Sequence, residues 1–376
     1  MTQKESTRRI EEIDREIAKL VEERLDASRQ ADEGLPASEI AQKCRRYERG
    51  FMNGLEQDYR DISGYERVLF QALFNMSHSY KNSDYGTNTE LADRIKKAVE
   101  ETPKLFPSSG MIACQGIEGA YSQIATDKLF AHANIMYFKT FDGVFQAVEN
   151  GLCEYGMLPI ENSSYGSVTQ VYDLMAGHNF YIARDYKLKI SHQLLVKPGT
   201  KLGDIREVYS HSQAIGQCSR FLREHPEIKI NVVENTAVAA RMVADSDRSD
   251  VAAISSSDCR QLYGLDSVQV NIQNTDHNYT RFICITKDLR IYPGASKTSV
   301  MLTLGHKPGA LADTLAKFAS LGLNLTKIES RPIAGSDFEF MFYLDFEASV
   351  YSEEVVKLLC QLDAEHADFT YLGTYI

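Results

Sequence analysis

Phe338, Phe340, Phe342, Leu344 and Phe346 alternate without a break near the C-terminal end of the chain. A helix would scatter residues at this spacing around its circumference, whereas an extended strand places all five on one face. The stretch therefore predicts a β-strand with one buried face. Its surroundings follow the same logic. Val300, Leu302 and Leu304 alternate, and a turn follows at His306-Lys307-Pro308-Gly309. Leu311, Leu315 and Phe318 mark a helix ending at Gly322, and Leu323, Leu325 and Ile328 mark a second strand. A helix over 353–362 and a last strand over 369–372 complete the order βαββαβ. That order is the split βαβ arrangement, a ferredoxin-like α+β domain with helices on one sheet face. We assign it residues 296–376.

Upstream the pattern changes. Met111-Ile112-Ala113-Cys114 is a short apolar run, followed by Gly116-Ile117-Glu118-Gly119-Ala120-Tyr121-Ser122 and a helical pattern to about residue 130. Strand, glycine turn and helix start is an arrangement that offers backbone N–H groups to an anion. Strand-like pieces recur at 135–138, 155–158, 190–196, 207–209, 228–233, 250–254 and 282–286. Helical pieces lie between them at 141–150, 168–176, 213–223, 236–244 and 256–262. This alternation predicts a bilobal α/β domain over 110–288, with the ligand in the cleft between lobes.

Residues 1–90 read as three helices. Ile10, Ile13, Ile17 and Leu20 form one stripe on the first, and Gly34-Leu35-Pro36 ends it. Ser38 is placed to cap the second, and Val68, Leu69, Ala72, Leu73 and Met76 share a face of the third. So few helices cannot bury all three stripes, which points to pairing with a second copy. Residues 91–109 read as a linker with a short helix at 90–100.

The formal charge of −11 argues against nucleic-acid binding, and no apolar run is long enough to span a bilayer. The charged first residues carry no signal core, so the expected location is cytoplasmic. Seven cysteines stand singly without CxxC spacing, which predicts reduced thiols rather than disulfides or a zinc site.

Asn278-Tyr279-Thr280-Arg281-Phe282 collects an amide, a hydroxyl and a fixed cation at the edge of an apolar run. Such a set can grip a carboxylate and donate to a leaving oxygen. Four further motifs precede it in order: Gly116-x-x-Gly119-Ala120-Tyr121-Ser122, Pro159-Ile160-Glu161-Asn162-Ser163-Ser164-x-Gly166-x-Val168, Tyr209-Ser210-His211-x-Gln213-Ala214-x-x-Gln217-Cys218, and Thr236-Ala237. Together they resemble the prephenate dehydratases of the bacterial P-protein type. Members join a chorismate-mutase-like helical domain, a periplasmic-binding-protein-like dehydratase domain and a regulatory ACT domain.

The resemblance implies conversion of prephenate to phenylpyruvate with loss of water and carbon dioxide, without a cofactor or metal. It implies Thr280 as the catalytic hydrogen-bond donor to the departing hydroxyl. Substrate contacts fall to Ser122, Glu161, Asn162, Ser163, Ser164, His211, Gln213, Gln217, Thr236, Ala237, Asn278, Arg281 and Phe282. Arg281 and the glycine-loop amides are the candidates for the carboxylates. Glu161 either orients a donor or is structural, and His211 is either a satisfied buried histidine or a substrate contact. Gly309, Ala310 and Leu311, with Glu329, Ser330, Arg331 and Pro332, match the family positions that bind L-phenylalanine as feedback inhibitor. Arg24 and Ser77 match mutase positions, but Thr7, Leu35 and Lys81 depart from that pattern. The helical domain is therefore expected to be weak or inactive as a mutase and kept for assembly as a homodimer or homotetramer. The alternatives are an arogenate dehydratase, a working bifunctional enzyme, and a non-catalytic amino-acid sensor.

Overall fold

The computed structural model describes residues 2–31, 37–56, 63–82, 89–305, 309–333 and 339–376. Leu35, the expected turn over 306–308, and Phe338 lie outside the described residues, as do the side chains of Ser38, Arg45 and Lys81. By contact the chain divides into two units. One comprises Met1–Asp93, Thr303–Leu325 and Tyr351–Asp368; the other comprises Arg94–Leu302, Thr326–Val350 and Phe369–Ile376.

In the first unit the N-terminal helices are α1 (Gln3–Gln30), α2 (Ala37–Glu56) and α3 (Ser63–Asn82). Thr2 and Glu5 form a reciprocal capping box that satisfies the first free amides of α1. Phe51 packs edge to face on Phe74 and at a tilt on Phe70 where α2 meets α3. The Ile10, Ile13, Ile17 and Leu20 stripe of α1 is exposed, and no described residue of α1 is buried. The short helix expected at 90–100 is present as α4 (Glu90–Glu101), and it buries Leu91, Ala92, Ile95 and Ala98.

The second unit carries two mixed sheets. The first contains β1 (Ser109–Gln115), β2 (His132–Phe138), β3 (Tyr155–Asn162), β4 (Gly166–Ser167), β5 (Tyr181–Lys189) and β11 (Tyr279–Thr286), in the order β2-β1-β3-β11-β5 with β4 beside β3. The second contains β6 (Gln193–Val196), β7 (Glu207–Ser210), β8 (Lys229–Val232), β9 (Val251–Ser255) and β10 (Asp266–Gln269), in the order β10-β6-β9-β7-β8. Helices α5 (Tyr121–Leu129), α6 (Phe141–Glu149), α7 (Thr169–Met175), α8 (Ser212–Gln217), α9 (Ser219–Glu224), α10 (Thr236–Asp245) and α11 (Ser257–Leu262) connect them.

Of the expected strand over 190–196 only Gln193–Val196 forms a strand, β6, and 190–192 is the crossover from β5 of the other sheet. The expected helix over 213–223 is likewise split at Cys218 into α8 and α9. Strands β5 and β10 escape the periodicity because their residues alternate charge and apolarity irregularly.

Residues 296–376 contain β12 (Lys297–Leu304), α12 (Ala310–Ser320), β13 (Leu325–Pro332), β14 (Phe340–Phe346), α13 (Glu353–Glu365) and β15 (Thr370–Tyr375). The third sheet runs β13-β14-β12-β15, so the first and third strands of the βαββαβ unit are central, as a split βαβ sheet requires. Alternation on β14 is misleading in one respect. Met341, Tyr343 and Asp345, on the face opposite Phe340, are themselves buried. Met341 and Tyr343 join Met301, Leu372 and Tyr375 in one apolar cluster with Tyr172, Ile182 and Ile283 of the first sheet's lobe. The third sheet thus docks by a face that the sequence marks as outward. Gly373 lies against this seam at φ +133°, where an added Cβ would sit 2.6 Å from the Ile182 carbonyl oxygen.

Candidate active site

Parallel strands β1 and β3 end at one edge of the first sheet, and antiparallel β11 begins there. Parallel β7 and β9 end at the matching edge of the second sheet. The carboxyl ends of parallel strands are the usual ligand edge of open α/β sheets. Four of the five expected motifs leave strands or begin helices at these two edges, and the fifth starts β11.

The centre is Asn162. Its Oδ1 accepts from the backbone N–H groups of Ser164 (2.9 Å) and Tyr165 (3.0 Å). Backbone amides only donate, so they fix the orientation of this side-chain amide. Its Nδ2 then donates to Asn278 Oδ1 and to Thr280 Oγ1, each at 2.9 Å. Asn162 and Thr280 are cross-strand partners of β3 and β11, which is why they meet. Thr280 Oγ1 is held as an acceptor, so its own hydrogen is left to donate elsewhere. Asn278 is fully buried and its Nδ2 has no acceptor among the described residues. Gln217 Nε2, from α8 of the other lobe, reaches Asn162 Oδ1 at 3.5 Å. Ser163 ties the loop down: its Oγ donates to the His277 carbonyl and accepts from the Tyr279 amide.

The glycine loop is arranged differently from the expectation. Gly116 N–H donates to the Phe138 carbonyl, Gly119 N–H to Gln123 Oε1, and Ala120 N–H to the Ile117 carbonyl. Its glycine amides are therefore engaged. Gly119 has φ +88°, and a Cβ there would meet Cys259 Sγ at 2.9 Å, so it allows α11 to approach. None of the described bonds uses the amides of Tyr121, Ser122 and Gln123, the first turn of α5. That helix N-terminus turns partial positive charge towards this edge.

Arg281 does not join Thr280. Adjacent strand residues face opposite ways, and Arg281 points to the third sheet. There Nε donates to Asp185 Oδ2 (2.8 Å), Nη1 to Asp345 Oδ2 (2.5 Å) and Nη2 to the Tyr375 hydroxyl (2.8 Å). Glu161 behaves in the same way: it leaves Asn162 on the site face and pairs with Lys327 of β13 at 3.4 Å. Lys327 also donates to Ser167 Oγ (2.7 Å), and that hydroxyl donates to Glu329 (2.5 Å). Arg331 grips Asp173 through two bonds, at 2.6 and 2.9 Å. Glu329 and Arg331 therefore face β4 and α7, while Ser330 and Pro332 are exposed.

His211 caps α8, its Nδ1 accepting from the Gln213 amide, and burial lowers its pKa. Thr236 and Ala237 are buried in the first turn of α10, with Asn235 as cap. Phe282 is buried in the core with Ile112, Tyr155 and Cys284 and makes no part of the polar cluster. In the first unit Arg24 donates to the Leu73 carbonyl at 3.0 Å and to the Ser77 hydroxyl. Gly309, at φ +86°, starts α12 ahead of Ala310 and Leu311.

Tyr121 stands in the first motif without an assigned role, and His192 was not singled out from the sequence. The His192 ring is buried, with Nε2 at 2.7 Å from Gln217 Oε1 and Nδ1 at 3.3 Å from the Tyr121 hydroxyl. The available signal was its place between the apolar Ile190 and Leu194.

Residues 112–290 match the family model described as prephenate dehydratase. The arogenate dehydratase/prephenate dehydratase 2 of Arabidopsis thaliana is 36% identical over 315 residues, covering 77% of this chain and 82% of that protein. The bifunctional chorismate mutase/prephenate dehydratase of Escherichia coli K12 is 36% identical over 278 residues, 72% of each chain. Among solved structures, the prephenate dehydratase of Arthrobacter aurescens in complex with L-Phe matches with TM-score 0.65 and 29% identity, over 70% of this chain and 89% of that one. On the motifs, their geometry and these likenesses, the chain belongs to the prephenate dehydratase family.

Proposed function

We propose that this enzyme converts prephenate to phenylpyruvate in the synthesis of L-phenylalanine, with Thr280 as the donor to the departing hydroxyl. The carrying observation is the Asn162 Nδ2 bond to Thr280 Oγ1, which commits the threonine to donate outward. In the reaction the ring carbon–carboxylate bond breaks and releases carbon dioxide. Its electron pair enters the ring as the carbon–hydroxyl bond breaks on the far side. Hydroxide leaves and takes up a proton to become water, and the ring is aromatic. A hydroxyl group donating to the departing oxygen stabilises the charge that develops there. Thr280 is too weak an acid to be consumed, and it regains any proton it shares from solvent. Asn278 Nδ2 supplies a second donor with no competing acceptor. The free amides of Tyr121, Ser122 and Gln123, with the Ser122 hydroxyl, suit a substrate carboxylate.

In this reading residues 110–288 are the dehydratase domain and 296–376 are an ACT-type module that binds L-phenylalanine through the helix start at Gly309, Ala310 and Leu311. Glu329, through its hydrogen bond from Ser167, and Arg331, through its ion pair with Asp173, transmit the signal to the dehydratase region rather than contact the ligand. Residues 1–90 are a mutase-like domain in which Arg24 and Ser77 persist. Its exposed Ile10, Ile13, Ile17 and Leu20 stripe serves self-association into a dimer or tetramer.

The test is a parallel assay of the purified protein on prephenate and arogenate, with and without L-phenylalanine, beside Thr280→Ala. Phenylpyruvate formed from prephenate, lost in the variant and suppressed by phenylalanine, supports the reading. Turnover of arogenate alone would transfer the same mechanism to the amino substrate. Turnover of neither would overturn it.

A further inference from the structure

His192 lies in the crossover from β5 to β6, so it belongs to neither lobe's sheet. Its backbone is pinned on both sides. Its N–H donates to Gln273 Oε1 at 3.0 Å, and its carbonyl accepts from the Ile272 amide at 3.1 Å. The ring is 2% exposed.

The protonation of this ring follows from bonds that are fixed elsewhere. Backbone amides of Ser164 and Tyr165 fix Asn162 Oδ1 as an acceptor. Gln217 must therefore turn its Nε2 towards that oxygen, which leaves its Oε1 facing His192. An amide oxygen needs a donor, so His192 Nε2 carries the hydrogen. Its Nδ1 lies 3.3 Å from the Tyr121 hydroxyl, whose single hydrogen is shared between Nδ1 and the Ser191 carbonyl at 3.0 Å. Burial lowers the pKa of the ring and so favours the neutral form.

We infer that His192 is a positioning residue for the dehydration, whose Nε2–H holds Gln217 in the one amide orientation that supports Asn162 and thereby Thr280. The chain of donors runs in one direction: His192 Nε2–H to Gln217 Oε1, Gln217 Nε2–H to Asn162 Oδ1, and Asn162 Nδ2–H to Thr280 Oγ1. It starts at the crossover, passes through α8 of one lobe and ends on β3 and β11 of the other. Without the imidazole hydrogen, Gln217 keeps only its long 3.5 Å bond to Asn162 and loses the 2.7 Å bond that anchors its oxygen. Turned over, it would oppose its oxygen to Asn162 Oδ1 and push that side chain away from Thr280.

The inference rests on the proposed reaction for its kinetic readout, and a second measurement stands free of it. In the full-length protein, NMR of the histidine rings should find His192 as the neutral Nε2–H tautomer. Prephenate kinetics should then compare wild type, His192→Leu and His192→Gln, whose side-chain amide can place a donor near the position of Nε2. We expect His192→Leu to lower kcat by roughly 10–100-fold with KM within about threefold, as for other groups that orient a reacting residue. His192→Gln should recover most of that loss. Circular dichroism on each variant separates unfolding from misplacement. An Nδ1–H tautomer, an unchanged kcat in a folded His192→Leu, or equal losses in the Leu and Gln variants would overturn the inference. If wild type turned over no substrate, the functional reading would fail by itself, and the tautomer would still decide how this network is oriented.

Discussion

Thr280 and Arg281 are neighbours on β11 and serve opposite sides of it. Thr280 meets Asn162 on the site edge, while Arg281 is buried between Asp185, Asp345 and Tyr375. Their cross-strand partners on β3 repeat the division, because Asn162 stands opposite Thr280 and Glu161 opposite Arg281. One pair of strands thus gathers amide and hydroxyl groups at one edge and turns ionic groups to the third sheet.

Arg281→Ala should act first on stability. It would leave Asp345, which is fully buried, without its cation. Stranding one partner of a buried ion pair costs about 3–5 kcal/mol. Thermal unfolding should therefore fall markedly. Thr280→Ala should leave the unfolding midpoint close to wild type and abolish turnover.

Asn162→Asp keeps acceptors for the Ser164 and Tyr165 amides and replaces the donor to Thr280 with an oxygen. The threonine hydrogen would then turn to the new carboxylate instead of the substrate. We expect kcat/KM to fall by roughly 10²–10³-fold, with the folded state retained by circular dichroism.

Glu161→Gln tests the opposite face. Glu161 pairs with Lys327 and makes no described bond to the Thr280 cluster. Basal turnover should stay within about twofold. The phenylalanine concentration for half inhibition should move by about fivefold or more, the lower end of ordinary coupling energies. An unchanged inhibition curve would remove this ion pair from the proposed route of regulation.

Gly373→Ala introduces a Cβ 2.6 Å from the Ile182 carbonyl oxygen at φ +133°. Both the strain and the clash favour unfolding, by about 1–3 kcal/mol. Denaturant titration should show a lower midpoint, whereas Gly151→Ala, at φ +74° with open space around it, should show only the smaller cost of backbone strain.

Stability should also fall in mild acid. Burial lowers the pKa of His192 and of His211 below the ordinary 6.5, so the unfolded chain binds more protons than the folded one near and below that pH. Their contribution is full well above pH 6.5 and declines as pH drops through it. Between pH 7.5 and 5.5 the thermal midpoint of His192→Gln should fall less than that of wild type.

The apolar runs, glycine turns and helix starts were legible because each depends on neighbours a few residues away. So was the grouping of Asn162, Gln217, Asn278 and Thr280, through ordered motifs. Strand β5 was not, because Asp185, Lys187 and Lys189 break its apolar pattern. Asp185 instead finds its partners in Arg281 and Lys297, far away in the chain. His192 was hidden for a related reason, as a lone histidine has no meaning until a distant glutamine is set against its ring.

By itself the sequence determined the family, most of the regular elements and the motifs that meet at the strand edges. Period-two geometry puts Thr280 and Arg281 on opposite faces of their strand, against the expectation that they act together at one site. Which of them faces the site was decided only by tertiary structure. A strand has two equivalent faces until other sheets cover them, and burial of Asp345 and Tyr375 against one face is what claims the arginine and leaves the threonine to the substrate edge.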